Sequence, residues 1–436
     1  MAPPISRRTL LGVLGTAAAL GPVANAQTYT PQGVPPIDRY RWAWARAQLV
    51  LEPGLTWLDT ASFGPTLRAV LVRTYRQLEE QSLDFRSFEA LNGAGSAGER
   101  SVLAAAASFL GCDAGELVLT DGARTGLALV AAGLDLQRDD EVLVSMHDHA
   151  AAVYPWIAQA RRRGIRVVEA PATAASTATP EAIVQQFERS LTPRTRVACL
   201  AHIQDCDGTV LPIRELCAVA RSRGVFTVVD GALASGHVDF RLADLGCDAY
   251  ATGVDRWLNG PLDAGLLYVR RDAQARVWPA LPDRADGWNG TDRFNAALPV
   301  PPFEYAAATR FGNARVRRGA SVAAIPLAFE FQDAISRPLV YGRIRELGSQ
   351  LRSGLQRIAG VDVVTPPHFS LNAGILSVRL PGRDPGEIVE RIAREDRIVL
   401  GRVTHGAGFD AIRISVHPTN DAIDVDRAVA AVQRHV

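Results

Sequence analysis

One stretch decides the fold of this 436-residue chain, and it contains Val228-Val229-Asp230-Gly231-Ala232, Thr252-Gly253-Val254-Asp255-Arg256-Trp257-Leu258-Asn259-Gly260-Pro261 and Gly265-Leu266-Leu267-Tyr268-Val269-Arg270. Short apolar runs lead into Asp230 and make up the third segment, and such runs are typical of strands buried on both faces. Asp230 places a carboxylate at the end of a buried strand, where its charge is costly unless a cation pairs with it. The stretch therefore predicts a sheet whose strand ends carry functional side chains.

Outward from this stretch, short apolar strands alternate with amphipathic helices. The predicted strands lie at residues 116–120, 142–145, 166–169, 197–202, 226–230, 248–252 and 265–269. The predicted helices lie at residues 102–110, 124–132, 152–163, 180–190 and 213–223. This alternation predicts an α/β fold with a mostly parallel central sheet and helices on both faces. In such sheets ligands bind beyond the carboxyl ends of the strands.

The pattern changes near residue 320, which indicates a smaller α+β C-terminal domain at residues 321–436. Its predicted elements are helices at 321–335, 341–358, 385–395 and 421–434 and strands at 374–379, 398–400 and 411–415. We assign residues 56–320 to the large domain and residues 27–55 to an N-terminal arm with a helix near 39–51. The segment 281–320 is rich in Pro, Gly and Arg, and we interpret it as an active-site loop or a dimer arm.

The first 26 residues have the features of an export signal. Ser6-Arg7-Arg8-Thr9-Leu10-Leu11 is a twin-arginine pattern, an apolar run follows it, and Ala24-Asn25-Ala26 offers a cleavage site. The twin-arginine route generally carries proteins that are already folded. We therefore expect a periplasmic or extracellular protein whose mature chain starts near Gln27.

The composition is that of an ordinary globular protein, with 47% hydrophobic and 21% charged residues and a net charge of +1. The charges are spread evenly and no zinc-ligand spacing occurs, so we expect neither a nucleic-acid partner nor a metal. No run after the signal is long enough to span a bilayer. The cysteines are odd in number, with no C-x-x-C pattern, and we predict that Cys206, in a polar loop, is the most accessible thiol.

Three groups of residues stand at predicted strand ends. The turn with Gly122, Ala123 and Arg124 opens a helix, and its backbone N–H groups can bind a phosphate. His149, in His147-Asp148-His149, either stacks on a flat ring or caps the next helix. Asp230 pairs with a cation, and a pyridinium nitrogen is one candidate.

In this combination and order, the segments resemble the class V aminotransferase fold, whose superfamily includes cysteine desulfurases and isopenicillin N epimerase-like proteins. The resemblance extends from Trp57-Leu58-Asp59 and Phe63-Gly64-Pro65 to Arg413-Ile414-Ser415-Val416-His417. It is most specific between residues 229 and 270, and it favours the isopenicillin N epimerase-like branch. The resemblance implies the type I fold of pyridoxal-phosphate-dependent transferases, a site for that cofactor and a homodimer.

The resemblance also implies roles for individual residues. The Gly122-Ala123-Arg124 turn is similar to the phosphate cup, His149 to the ring that stacks on the pyridine, and Asp230 to the partner of the pyridine nitrogen. Gln204, with its loop at 204–208 and nearby His202, matches the segment beside the phenolic oxygen of the cofactor. Arg413 resembles the arginine that binds a substrate carboxylate, for which a guanidinium fork is suited.

The chain departs from this pattern at the position that matters most. It contains no lysine, so all 47 of its Lys and Arg side chains are arginines. Asp255-Arg256-Trp257-Leu258 stands where the family has His-Lys-Trp-Leu, so Arg256 occupies the position of the lysine that forms the Schiff base. Arginine stays protonated and cannot act as that amine. Leu233 and Arg124 also differ from the histidine and the threonine common in relatives.

Three hypotheses follow from these departures. In the first, a degenerate member binds an anionic small molecule or a partner in a cationic pocket formed by Arg124, Arg256 and Arg413. In the second, an enzyme acts on an amino-acid-like substrate with altered chemistry that uses Asp255, His149 or Cys206. In the third, the chain is a non-catalytic dimer partner of a lysine-bearing relative. In each, pyridoxal phosphate binds only noncovalently or not at all.

Overall fold

The computed structural model describes residues 34, 38–86, 88, 96–278, 320–406 and 408–436. The signal segment and most of the segment 281–320 lie outside these residues, so the structure does not bear on their interpretation. The described residues from Asp38 onward form one compact unit. No helix in the described part of the chain is long and apolar enough to cross a membrane.

Helices and strands alternate through the large domain as the sequence predicts. The described α-helices are α1 (Asp38–Ala47), α2 (Arg68–Leu83), α3 (Ala97–Leu110), α4 (Ala123–Gly133), α5 (Ala150–Arg163), α6 (Pro180–Ser190), α7 (Ile213–Ser222), α8 (Leu242–Leu245), α9 (Ile325–Ile335), α10 (Arg337–Leu355), α11 (Pro385–Asp396) and α12 (Ala422–His435). The strands are β1 (Thr56–Trp57), β2 (Leu117–Thr120), β3 (Glu141–Ser145), β4 (Arg166–Ala170), β5 (Thr195–Ala201), β6 (Phe226–Asp230), β7 (Ala249–Gly253), β8 (Gly265–Val269), β9 (Asp362–Val363), β10 (Ile375–Arg379), β11 (Ile398–Val399), β12 (Gly401–His405) and β13 (Phe409–Ser415).

The central sheet has seven strands in the order β2-β8-β7-β6-β5-β3-β4. The pairs β6–β7, β5–β6, β3–β5 and β3–β4 are parallel, and β8 runs antiparallel to both β7 and β2. The prediction of a mostly parallel sheet is therefore confirmed. The carboxyl ends of the parallel strands meet at one edge, where the candidate residues follow them.

Side chains of the central strands are buried on both faces of the sheet, which explains their uninterrupted apolar runs. In β8, Leu266 packs into the core on one face, and the next residue, Leu267, packs into the core on the other. In β6, Val229 packs into the core on the same face as Leu266, and Val228 packs into the core on the same face as Leu267. This alternation follows from the period of two along a strand.

The C-terminal lobe is built around an antiparallel sheet in the order β12-β13-β10-β9, with α10, α11 and α12 contributing to its core. Strand β1, near the N-terminus, pairs in parallel with β11 of this lobe, through Thr56 with Ile398 and Trp57 with Val399. The expected α+β character of the lobe is confirmed. The pairing places the segment after β1 beside the strand ends of the large domain.

The structure differs from the sequence prediction at a few elements. The first helix ends at Ala47 rather than near residue 51, and α2 and β12 have no counterpart in the prediction. Helix α2 has no side-chain cap at its N-terminus and no acidic residue in its first turn, so the usual start signals are missing. By contrast, α6 begins at Pro180, and the Thr179 hydroxyl caps it by accepting from the N–H of Ala182 at 3.1 Å.

Candidate functional site

A cavity of about 180 Å³ lies at the carboxyl ends of the central strands. The sequence predicts nine site residues, and seven of them line this one cavity. These are Gly122, Ala123, Arg124, His149, Asp230, Asp255 and Arg256. Gln204 and Arg413 do not line it. The chain thus brings residues from four separate loops to one place.

The N-terminus of α4 faces this cavity. Gly122 precedes the helix with φ +143°, a backbone conformation that side chains other than glycine rarely adopt, and a Cβ there would meet nothing within 4 Å. No side chain caps the first turn of α4. Because the first N–H groups of a helix have no partner within it, this turn offers donors and a partial positive charge to an anion. Arg124 adds a guanidinium beside them.

His149 caps a helix and also lines the cavity, so the capping interpretation is confirmed and the stacking interpretation stays a prediction. Its Nδ1 accepts a hydrogen bond from the N–H of Ala151 at 3.1 Å at the start of α5. That bond fixes the orientation of the ring and leaves Nε2 as the ring nitrogen free of the cap. A fixed imidazole at the wall of the cavity is suited to contact a flat ligand.

Asp230 ends β6 as a buried carboxylate. Its Oδ1 accepts from the N–H of Ala232 at 3.0 Å. Burial raises the pKa of Asp230, and the hydrogen bond from Ala232 and the charges of Arg256 and His149 oppose that rise. A cationic ring nitrogen at this carboxylate would favour its charged form in the same way.

Asp148 is a second buried carboxylate behind the cavity, and the sequence does not single it out. Its Oδ2 accepts from the N–H of Ser145 at 2.7 Å, and its Oδ1 has no hydrogen-bond partner. Burial raises its pKa to about 7, and the negative charge of Asp230 contributes to the rise. Two carboxylates therefore share this buried region.

Arg256 and Asp255 lie in the turn after β7. The Arg256 guanidinium donates a hydrogen bond through Nη1 to the carbonyl oxygen of Ala61. Burial raises the pKa of Asp255, and Arg256 opposes this rise. The segment after β1 packs directly on the turn, because the N–H of Gly64 donates to the Asp255 carbonyl at 3.0 Å. A Cβ at Gly64 would lie 1.9 Å from the Arg256 carbonyl oxygen, so this approach requires glycine.

Arg413 lies behind the cavity and is bonded to other groups of the chain. Its Nη1 forms an ion pair with Asp205, and its Nη2 donates to the Ser62 hydroxyl at 2.9 Å. Asp59 lies 3.7 Å from Nη2, and burial raises the pKa of that carboxyl against the charge of Arg413. The guanidinium fork is therefore held by two carboxylates of this chain.

The predicted cationic pocket is not what the structure builds. Arg124 and Arg256 line the cavity, but Arg413 does not. Four carboxylates line it as well, from Asp121, Asp205, Asp230 and Asp255. Asp121 stands beside Gly122 and Arg124 at the N-terminus of α4, and Arg256 is the cation beside Asp230 and Asp255. We call the part of the cavity with Asp205, Asp230 and Asp255 its acidic end.

The loop after β5 also differs from its expected role. The Gln204 amide donates to the Ser145 hydroxyl at 2.6 Å and lines a separate, smaller cavity. His202 is buried with its Nδ1 2.9 Å from the Tyr250 hydroxyl, and burial lowers its pKa to about 4. These contacts hold the loop against the sheet, and Ile203 and Asp205 are the residues of this loop that line the cavity.

The prediction that Cys206 is accessible is wrong, because its side chain packs against Val403 and Ala411 with 1% exposure. The four other cysteines are also free thiols, and only Cys112 is partly exposed. Burial raises the pKa of Cys206 and of the other four, to about 12 for Cys112 and Cys217. A thiolate nucleophile from this chain is thus disfavoured.

The residues that the sequence missed stand next to residues that it found. Asp148 lies between His147 and His149, Asp205 follows Gln204, and Asp59 ends the motif Trp57-Leu58-Asp59. Each is a carboxylate in a loop, where most carboxylates are solvated. The sequence carries no signal for which of them the fold buries. No cluster of metal-ligating side chains occurs among the described residues.

Comparison with known proteins identifies the family of this chain. The model of the family "Aminotransferase class-V" matches residues 56–428. This chain belongs to the class-V aminotransferase family. It is 30% identical over 403 residues to an isopenicillin N epimerase of Amycolatopsis lactamdurans, covering 90% of this chain and 98% of the relative. It is also 26% identical over 343 residues to a probable cysteine desulfurase of Vibrio cholerae, covering 76% of this chain and 80% of the relative.

Solved structures agree with this assignment at the level of the fold. A lysine-to-alanine variant of C-DES, with glycine covalently linked to its PLP cofactor, matches with a TM-score of 0.76 and 22% identity, covering 89% of this chain and 98% of that chain. The cysteine desulfurase CsdA of Escherichia coli matches with a TM-score of 0.74 and 23% identity, covering 94% and 99%. The prediction of a type I fold of pyridoxal-phosphate enzymes is confirmed.

The residues around the cavity fit part of this cofactor. The uncapped α4 turn fits its phosphate, and the buried carboxylate of Asp230 fits a pyridinium nitrogen. The ring of His149 stands at the cavity wall. No side chain in the sequence can supply the amine of a Schiff base, because the chain has no lysine. The residues present therefore fit the phosphate and the ring nitrogen of this group, and the chain has no lysine that could form an imine with it.

Proposed function

We propose that this protein is an exported, degenerate member of the class-V aminotransferase family. It binds a phosphorylated small molecule of the pyridoxal phosphate type in the strand-end cavity, and it forms no Schiff base with that ligand. Pyridoxal phosphate would bring an electron-withdrawing ring, but the lysine chemistry of its relatives is lost. The observation that carries this proposal is Arg256 in the cavity of a chain without lysine.

Binding is supported at the phosphate end of the cavity. The first turn of α4 has no side-chain cap, and the Arg124 guanidinium lies beside it. Backbone donors and a guanidinium together bind phosphate through charge-assisted hydrogen bonds. Asp230 supports the orientation of the ring, since a buried carboxylate with a raised pKa gains most from a cationic partner.

The loss of Schiff-base chemistry is supported by the state of Arg256. Its guanidinium donates to the Ala61 carbonyl and lies near the charges of Asp59, Asp230 and Asp255. Arginine stays protonated in proteins, so this group neither attacks a carbonyl nor carries a proton to and from a substrate carbon. Arg256 instead serves as the resident cation of a site rich in carboxylates.

Sulfur transfer through a thiol of this chain is not supported, although probable cysteine desulfurases are among its relatives. All five cysteines are described, and burial raises the pKa of every one. Since the thiolate is the reactive form, none of them is set up as a nucleophile.

The test uses the mature wild-type protein and two single-lysine variants. Arg256→Lys places an amine in the cavity, and Arg391→Lys places the same amine on α11, where the native side chain is 51% exposed. Each protein is equilibrated with pyridoxal phosphate, and one half of each sample is reduced with borohydride. Both halves are then dialysed and mapped by peptide mass spectrometry.

We expect the wild type to retain the ligand during equilibrium dialysis and to carry no label on the cavity peptides after reduction. Arg256→Lys should become labelled at residue 256, whereas Arg391→Lys should show only the background given by an exposed amine. A reduced label on a wild-type side chain would refute the loss of the covalent anchor. Failure of the wild type to retain pyridoxal phosphate would refute the binding function.

A further inference from the structure

The acidic end of the cavity indicates which ligands the site accepts. Arg413 is the residue expected to bind the carboxylate of an amino acid, yet Asp205 already provides a carboxylate to its Nη1. The Ser62 hydroxyl occupies Nη2 at 2.9 Å, and Asp59 lies 3.7 Å from the same nitrogen. The arginine is 5% exposed. Both Nη atoms are thus in use, and Nε, which has no hydrogen-bond partner, is buried.

The charges around this end disfavour an additional carboxylate. Asp59, Asp205, Asp230 and Asp255 stand there against two cations, Arg256 and Arg413. Arg256 is itself bonded to the Ala61 carbonyl. A ligand carboxylate would need either to displace Asp205 from Arg413 or to lie among these acidic groups, where like charges oppose its binding.

We propose that the site selects a phosphorylated amine over a phosphorylated amino acid, and that Asp205 determines this selectivity by occupying Arg413. The proposal rests on the proposed function, because it concerns the ligand of the same cavity. The phosphate binds at the α4 turn beside Arg124, and a cationic or neutral amine end lies toward Asp205 and Asp255. The Arg413 guanidinium then acts as a fixed structural cation and does not contact the ligand.

Two stable probes differ only in this carboxylate. N-(phosphopyridoxyl)ethylamine and N-(phosphopyridoxyl)alanine share the phosphate, the ring and the secondary amine. Their dissociation constants are measured by calorimetry with the wild-type protein, Asp205→Asn and Asp135→Asn. Asparagine keeps the size of aspartate and one acceptor oxygen but removes the charge. Asp135→Asn makes the same change at a side chain that is 74% exposed and does not line the cavity, so it serves as the control.

We expect the wild type to bind the ethylamine probe at least about tenfold more tightly than the alanine probe. Asp205→Asn should reduce or reverse this preference by strengthening binding of the alanine probe alone, and Asp135→Asn should leave the preference unchanged. Equal affinities in the wild type would overturn the selectivity. An unchanged preference in Asp205→Asn, with a native melting curve, would overturn the role of Asp205. If the wild type binds neither probe, the proposed function fails together with this inference.

Discussion

The buried carboxyl group of Asp148 makes the free energy of unfolding depend on pH, and the size of this effect follows from its surroundings. The side chain is completely buried, one of its oxygens has no hydrogen-bond partner, and no arginine contacts it. Burial raises its pKa from 3.8 to about 7. The folded state therefore binds a proton that the unfolded state has lost between these two values. Stability falls as the pH rises through this window and is constant above it.

The size of the effect follows from the shift. At about 1.4 kcal/mol per pKa unit, a rise from 3.8 to about 7 corresponds to a loss of about 4 kcal/mol between pH 4 and pH 8. Asp148→Asn removes the ionisation and keeps an oxygen that can accept from the Ser145 N–H. We expect this variant to match the wild type near pH 4 and to exceed its stability at pH 8 by a similar amount. The negative charge of Asp230 contributes to the raised pKa of Asp148, so part of the stability gained by Asp148→Asn depends on the charge of Asp230.

The measurement is urea denaturation at half-unit intervals from pH 4 to pH 8, followed by tryptophan fluorescence. Asp263→Asn removes an exposed carboxylate from the nearby turn and should give a curve parallel to that of the wild type. Parallel curves for the wild type and Asp148→Asn across the whole range would refute the reasoning. Such a result would mean that Asp148 is solvated or paired in solution.

Three further predictions concern packing, thiols and export. Gly64→Ala should lower the free energy of unfolding by about 2 kcal/mol or more, because its Cβ would lie 1.9 Å from the Arg256 carbonyl oxygen. Gly342→Ala, at an open position in a helix, should leave the free energy of unfolding unchanged or raise it. Urea denaturation measures both. A thiol reagent should label the native protein slowly and all five cysteines after unfolding, and rapid native labelling of Cys206 would contradict its burial. Changing Arg7-Arg8 to a glutamine pair should leave the precursor unprocessed inside bacterial cells, as a fractionation immunoblot would show; unchanged processing would exclude the twin-arginine route.

The features of the fold that follow local rules were predictable from the sequence. The strands of the central sheet are short apolar runs, and the helices between them have the helical period, so the α/β layering followed directly. The antiparallel direction of β8 was not predictable, because a buried apolar run of five residues has the same pattern in a parallel and in an antiparallel strand. Helix α2 was missed because it lacks a cap and an acidic first turn.

Part of the candidate site was also predictable from the sequence, and part of it was not. Gly122, His149 and Asp230 were found because each follows a strand whose carboxyl end lies at the ligand-binding edge. The state of Arg413 was not predictable, because its partners lie 208 positions away at Asp205 and 351 positions away at Ser62. Burial of a charged group depends on such distant pairings, and a single sequence does not reveal them.

Under the proposed function, the position of Arg256 explains how the site keeps its charge balance without a lysine. Asp59, Asp230 and Asp255 all lie within reach of its charge, and burial raises the pKa of each of them. A neutral side chain at residue 256 would leave these carboxylates without that cation, which destabilises buried charges strongly. Arg256 supplies this cation and donates a hydrogen bond to the Ala61 carbonyl. Under the proposed function, it preserves the electrostatic balance of the site without the reactive amine that a lysine would bring.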